Sequence, residues 1–395
     1  MPELLPFAGL RFDPGRAGPL SQLTCPPYDV ISAPLRAALA ARNPYNVVRV
    51  ELPEGHYREA ADLLARWEGA AVLRREGSEV LYGYRMSSAL PDGGVRHTTG
   101  VIGALVLEPP GQGILPHEHT TPKAKSDRLE LLRATRCNTS PIWCLCAEPG
   151  LVAAVGPPPP SAASSLDEEG NEHLLWPITS PVAQAAVARA VAAAPLLVAD
   201  GHHRYETALA YQAEAPVPGN PDEGPGPGAV MALVVELSEQ HLEVRAIHRL
   251  VSGLPGAGAV VEAFRAEHDL VAYEGPADEL LGTMVTAGSL GLVTASGTYL
   301  ARPRPGTPSA ATPLDSSRAD TTLGRLGPAS HVLRYEHDVP GALAEVGRGD
   351  AQALVLCRPA TVAQIAATGR GGERMPPKTT FFWPKPLTGM VLRSW

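Results

Sequence analysis

The spacing of apolar residues changes character several times along the chain. Ser32-Ala33-Pro34 predicts a helix through about Arg42, because serine caps a helix N-terminus and proline fits its first turn. Ala60, Leu63, Leu64 and Trp67 recur at helical spacing and predict a helix over Tyr57–Trp67. Glu79–Met86 and Val95–Leu107 are rich in Val, Ile, Tyr and Thr, and the Pro91-Asp92-Gly93-Gly94 break between them predicts a β-hairpin. From about Gly111 to Glu214 helix and strand signals alternate. Asp127 with Glu130 resembles a capping box that opens a helix through Thr135. Ile142–Ala147 reads as a strand, Pro157–Pro160 with Ser161–Ser165 as an exposed insertion, and Val182–Ala194 as an Ala-rich helix. Leu196–Ala199 reads as a buried strand. After a tight turn, Arg204–Ala213 is helical, with Tyr205, Ala208, Leu209 and Gln212 on one face. Pro216–Gly228 has the composition of a linker, and Val230–Leu237 and Leu242–Ile247 beyond it read as paired strands.

The expected class is therefore mixed α/β, with no repeat of fixed period. The expected organisation is an N-terminal α/β segment at 1–110, a central part at 111–215, a Pro/Gly linker at 216–228 and a C-terminal α/β domain at 229–395.

Composition narrows the function classes. With 44 % hydrophobic and 19 % charged residues the chain has material for large cores and is not a disordered one. A net charge of −8 supplies no general attraction for nucleic acid or an acidic membrane surface. No apolar run approaches a membrane span, and the N-terminus lacks a signal pattern. The five cysteines include no CxxC pair, which argues against a disulfide scaffold and for a reducing, cytoplasmic setting. The 33 basic residues include only four lysines (Lys123, Lys125, Lys378 and Lys385), in two short segments. A compact ammonium differs from a guanidinium where a phosphate or carboxylate must be met, so these lysines point to a site.

Four segments concentrate chemistry: Pro26–Val30 with Asn43–Asn46, Pro116–Arg128, Asp200–Arg204, and Met375–Thr380 with Pro384–Pro386. The third has the sharpest logic. An apolar strand ends, Gly201 permits a turn, and a helix begins at once, so free N–H groups and the positive end of the helix dipole meet His202, His203 and Arg204. This pattern reads as a polyphosphate cradle. Asp200 is out of place beside a bare phosphate unless Mg²⁺ intervenes or the carboxylate accepts backbone N–H groups. In the second segment Glu118, between His117 and His119, is a candidate general base, and Lys123, Lys125 and Arg128 supply positive charge downstream. Other residues have structural readings. Tyr28, Asp29, Asn43 and Asn46 suit turns and caps, His248-Arg249 a satisfied pair, and Cys144 and Cys146 burial on one strand face. Lys378, Thr379 and Thr380 either close the site or stabilise a β-return.

The run LPHEHTTPKAKSDRLELLRATRCNTSPIW, followed by VADGHHRYETAL, resembles the family designated a domain of unknown function, number one thousand and fifteen. PPYDVI, NPYNVVRVELPEG, HLLW at His173–Trp176 and MPPKTTFFWPK extend the resemblance over most of the chain. Within it, the His-Glu and Asp-Gly-His-His-Arg motifs look like the core of free-serine kinases of the ParB/sulfiredoxin-like fold. The resemblance implies such a core at 111–215, with phosphate passing from ATP or ADP to the hydroxyl of L-serine. It implies Glu118 as base and a phosphate grip at Asp200, Gly201, His202 and Arg204.

The expected site then has Glu118, His117 and Asp200 at the reaction centre. Gly201, His202, His203, Arg204, Lys125 and Arg128 face phosphates. Lys123, Thr120, Tyr28, Asp29, Asn46 and Lys378 line the substrate side, and Asp200 carries Mg²⁺. The expected partners are a nucleotide and a small molecule, not nucleic acid or membrane. Two departures stand out: small members of that fold place the two motifs closer together, and His202 replaces the cysteine that sulfiredoxins need and the glutamate that ParB proteins need. A metal-dependent hydrolase using His117, His119, His202 and His203, and a nucleotide-gated binding module, are the alternatives from other classes.

Overall fold

The computed structural model describes the chain except residues 91, 110, 117–121, 216–224, 277–278, 328–329, 372–374 and 377, and gives the backbone alone at 116, 122–125 and 369–371. The described residues form two compact units. One comprises Met1–Glu243 with the C-terminal Pro384–Trp395; the other comprises Val244–Thr368 with the segment ending at Trp383.

The first unit is built on a mixed nine-stranded sheet. Its strands run in the order Ile114–Pro116, Leu196–Asp200, Ile142–Cys146, Ala229–Glu236, Val95–Val106, Leu81–Ala89, Glu172–Ile178 and Ala163–Leu166, with Leu4–Leu5 pairing on Val95–Val106. The predicted hairpin is its centre: Leu81–Ala89 and Val95–Val106 pair antiparallel from Tyr82↔Ile102 to Ala89↔Val95. Glu172–Ile178 continues the sheet, and Trp176 lies flat over Gly83, where a Cβ would stand 2.1 Å from the indole. The helices Leu151–Val155, Pro181–Ala192 and His202–Glu214 bury Leu151, Val187, Val191, Tyr205 and Ala208 in the core of this sheet. Cys144 and Cys146 lie in that core, and all five cysteines are buried thiols. A second core joins the N-terminal helices Ala33–Arg42 and Tyr57–Gly69 to Leu131, Cys137 and Leu392. Ser32 caps the first of these helices, accepting from the Leu35 N–H.

Several expectations are corrected. Strands from both sides of residue 110 and of the Pro/Gly stretch share one sheet, so segments 1–110 and 111–215 belong to one unit, and the C-terminal segment divides after Glu243. Of 216–228, residues 216–224 lie outside the described residues, and Gly226–Gly228 form a 3₁₀ turn. Ala229–Glu236 does not pair with the strand after it. It is inserted between Val95–Val106 and Ile142–Cys146, and Glu243–Ala246 pairs with Thr380–Trp383. Asp127 is no cap, since the helix runs Pro122–Thr135 and the Asp127 carboxylate accepts from Tyr57 Oη at 2.5 Å. The Ser-rich insertion contributes an edge strand, Ala163–Leu166, whose Ser165 is buried with its hydroxyl 2.9 Å from that of Thr24.

The second unit has a six-stranded antiparallel sheet in the order His268–Ala272, Gly297–Pro303, Leu290–Thr294, Ala353–Leu356, His248–Ser252 and Val332–Glu336. Helices Gly258–Glu267 and Asp315–Leu323 pack around one core, and Leu280–Ala287 with Val339–Arg348 around the other. His248-Arg249 is a buried, satisfied pair. Arg249 forks onto Asp320 at 2.9 and 3.1 Å, and His248 Nδ1 accepts the Cys357 N–H at 3.1 Å.

Burial first, then Arg249 and His337, pushes the His248 pKa down to about 4. The unfolded chain takes up that proton near pH 6.5. The stabilisation is therefore complete above pH 6.5 and is lost as pH falls toward 4, by about 3 kcal/mol at most. The melting temperature of this unit should fall across that window, and His248→Gln should flatten the fall, with His268, which burial also pushes down, acting in the same direction. An unchanged slope in the variant would assign the effect elsewhere.

Candidate active site

The Asp-Gly-His-His-Arg turn has the geometry its sequence implies. Leu196–Asp200 runs through the core, its register against Ile142–Cys146 shifting between Val198 and Asp200. Gly201 turns the chain at φ +85°, and helix His202–Glu214 starts at once. A side chain at Gly201 would be strained by that φ, and its Cβ would stand 3.0 Å from Arg204 Nη2 and 3.1 Å from Ile142 Cγ2. The helix is anchored by Tyr205, whose hydroxyl donates to the Glu108 carbonyl at 2.6 Å. Its first-turn N–H groups have no acceptor within the helix, so the turn carries the donors and the dipole that favour an anion.

Three charges meet at this turn. Arg204 Nη2 donates to Asp200 Oδ2 at 3.0 Å, and Nη1 donates to Ser140 Oγ at 2.8 Å and the Pro141 carbonyl at 2.6 Å. Lys385 Nζ donates to Asp200 Oδ1. Burial by itself would raise the Asp200 pKa, but Lys385 and Arg204, with His202 behind them, hold it well below the usual carboxylate range. Both carboxylate oxygens face cations, so Asp200 does not fit the role of Mg²⁺ ligand. Among the described residues no cluster of three His, Cys, Asp or Glu side chains is placed to hold a metal ion.

Arg128 is corrected from phosphate ligand to buried structural cation. Its Nη1 donates to the Glu51 carbonyl at 2.9 Å and lies 3.3 Å from Glu51 Oε1. Its Nε and Nη2 reach Asp127 at 2.8 and 2.6 Å, and its plane covers the Tyr28 ring at 4.4 Å. Glu51, 2 % exposed, also accepts from Thr139 Oγ1. Arg128, Glu51, Thr139 and Ser140 line a cleft with Arg204 and Thr207. Arg204 Nε and Thr207 Oγ1 are buried there without hydrogen-bond partners among the described residues.

The other expected residues are dispersed. Tyr28, in a 3₁₀ turn, stands beside Arg128 with its phenol pushed up to about 12, mainly by burial, and Asp29 is exposed. Asn46 is corrected to a structural residue: fully buried, it donates to the Gln22 and Thr24 carbonyls and accepts from the Val48 N–H. Lys378 belongs to the second unit at φ +59°, its carbonyl accepting from Arg249. His202 and His203 open the helix, both half-buried. His117, Glu118, His119 and Thr120 lie outside the described residues, as do the side chains of Lys123 and Lys125. The strand leading to them is described. Ile114–Pro116 lies parallel to Leu196–Asp200, with Pro116 opposite Val198.

A family model described as "Protein of unknown function (DUF1015)" matches residues 4–322. The chain belongs to the DUF1015 family. Among solved structures, this DUF1015 protein is similar to a conserved hypothetical protein from Pyrococcus furiosus, at 13 % identity and TM-score 0.39, over 70 % of this chain and 90 % of that one. It is also similar to a free serine kinase in complex with AMP, at 13 % identity and TM-score 0.38, over 68 % and 83 % of the two chains. A third is SbnI with a C-terminal truncation from Staphylococcus aureus, at 11 % identity and TM-score 0.39, over 73 % and 85 %. No curated protein matches. No helix among the described residues is long and apolar enough to cross a membrane.

The sequence of this DUF1015 chain singles out Lys385 without giving it a role and does not mark Ser140 or Glu51. The scarcity of lysine was a usable signal for Lys385. Nothing local marks Ser140 or Glu51, whose partners are 64 and 77 residues away.

Proposed function

We propose that this DUF1015 protein is a small-molecule phosphotransferase whose acceptor is the hydroxyl of free L-serine and whose donor is ATP or ADP. The observation that carries the proposal is the strand–Asp200–Gly201–helix turn, where a helix N-terminus, Arg204 and Lys385 converge. Phosphoryl transfer asks a protein for positioning and charge neutralisation, and this turn is built of both. The connection that carries Glu118 leaves the sheet at Pro116, one strand from the turn, which supports a base facing the phosphates. In this mechanism the nucleotide tail docks on the first turn of His202–Glu214. Glu118 accepts the serine hydroxyl proton as the oxygen attacks the terminal phosphorus and the bond to the leaving nucleotide oxygen breaks. A serine hydroxyl is too weak an acid to ionise beforehand, so the base must lie within about 3 Å in the reactive complex. The choice of serine rests on the motif resemblance alone.

The test is incubation with L-serine and either ATP or ADP, with Mg²⁺ and separately with EDTA, followed by mass spectrometry for O-phosphoserine. Product with one donor is expected. A folded, nucleotide-binding preparation that yields none with either donor overturns the proposal.

A further inference from the structure

The HLLW run has no role in that mechanism, and the C-terminal Pro384-Lys385-Pro386 enters it only through the Lys385 contact with Asp200. A buried chain of hydrogen bonds connects them. His173, fully buried, places Nδ1 2.8 Å from Tyr84 Oη and Nε2 3.4 Å from Asp167 Oδ2. Asp167 is itself fixed by the N–H of Asn171 at 2.9 Å and its Nδ2 at 2.7 Å. At the other end, Tyr84 Oη accepts the backbone N–H of Leu387 at 3.0 Å. Burial holds the phenol protonated far above neutral pH. Tyr84 Oη thus bridges the Leu387 N–H and His173 Nδ1, and the other ring nitrogen of His173 faces Asp167. This buried chain of contacts ends two residues from Lys385. The same segment is held by the Thr388–Cys25 backbone pair at 2.9 and 3.2 Å and by the Gly389 N–H on the Thr139 carbonyl at 3.0 Å. Prolines on both sides of Lys385 restrict it further.

We propose that Lys385 is a ligand for the anionic tail in the Asp200–Arg204 turn, and that Tyr84, His173 and Asp167 are positioning residues that set the strap carrying it; this rests on the phosphate-site reading of the turn. Charge decides the point. Among the described residues, Asp200 against Arg204 alone is neutral, whereas Lys385 gives this trio one carboxylate against two cations. The carboxylate that looked misplaced beside a phosphate becomes the group that orients two cations toward it, without a metal. In a chain with four lysines among 33 basic residues, a lysine here supplies a compact ammonium where the guanidinium fork of Arg204 is already in place.

Calorimetry with ADP and with adenosine tests this, because a phosphate ligand affects the first and not the second. Lys385→Met should weaken ADP tenfold or more and leave adenosine within twofold, and Lys385→Arg should recover most of the loss. Should the Met variant fail to fold, Lys385→Gln is measured in its place. Tyr84→Phe should weaken ADP a few-fold at unchanged adenosine affinity. The Lys385→Met, Asp200→Asn double variant restores the net charge without the ligand, so its ADP affinity should stay low. Full recovery there would mean that Lys385 only neutralises Asp200, and would overturn the ligand role. Wild-type ADP affinity in Lys385→Met, or equal losses for ADP and adenosine, overturns it as well, and wild-type ADP affinity in Tyr84→Phe overturns the positioning role. A wild-type protein that binds adenosine and ADP equally, or neither, shows instead that the phosphate-site reading has failed, and this proposal falls with it.

Discussion

Glu118→Gln is expected to lower the rate of phosphoryl transfer by roughly 10²–10⁴-fold, the usual worth of a positioned general base, while nucleotide affinity stays within about twofold. The amide keeps the size of the side chain but cannot accept the proton that leaves the attacking hydroxyl. In the proposed mechanism the nucleotide docks on the Asp200–Arg204 turn, so binding and turnover should separate cleanly. Single-turnover kinetics with a saturating donor, beside calorimetric affinity for ADP, would show the split. Retained turnover removes Glu118 from the base role. An equal fall in affinity and rate would make it a binding residue.

Arg128→Met should be the most damaging single change to stability in the first unit, at about 3 kcal/mol or more, the cost of stranding a buried carboxylate. Arg128 is 6 % exposed and Glu51 2 %, so neither recovers hydration when the other is lost. The guanidinium also contacts Tyr28 and Asp127, so the variant loses a stacking partner as well. Adding Glu51→Gln should return much of the loss, because the remaining amide is neutral and can still accept from Thr139 Oγ1. Denaturant unfolding of the single and double variants measures this. A single variant with wild-type stability and much weaker ADP binding would restore Arg128 to the phosphate side.

Where structure depends on neighbours a few positions away, it was legible in the chain. Ser32 caps its helix, Pro91–Gly94 separates two strands, and Leu196–Ala199 meets a helix at Gly201, because caps, alternation and turn chemistry act over single turns of backbone. Where structure departs from the local pattern, the deciding partner is distant in sequence. Asp127 looked like a cap because its true partner, Tyr57, is 70 residues away, and Arg128 looked like a phosphate ligand because Glu51 is 77 away. The Ser-rich stretch looked solvated because nothing near it announces the edge pairing with Glu172–Ile178 or the Thr24 hydroxyl 141 residues off. Ala229–Glu236 looked like half of a local pair, yet its hydrogen bonds go to two strands far earlier in the chain.

By itself, then, the sequence determined the mixed α/β class, the position of several helices and strands in the first unit, the family resemblance, and the strand–glycine–helix turn at Asp200–Arg204. Only the tertiary structure decided which charges face that turn. Lys385 reaches Asp200 from 185 positions away, and Arg128 is withdrawn by Glu51. The physical reason is range: helix caps and turns are settled by a few adjacent dihedrals, whereas an ion pair's partner is chosen by which strands the core brings together.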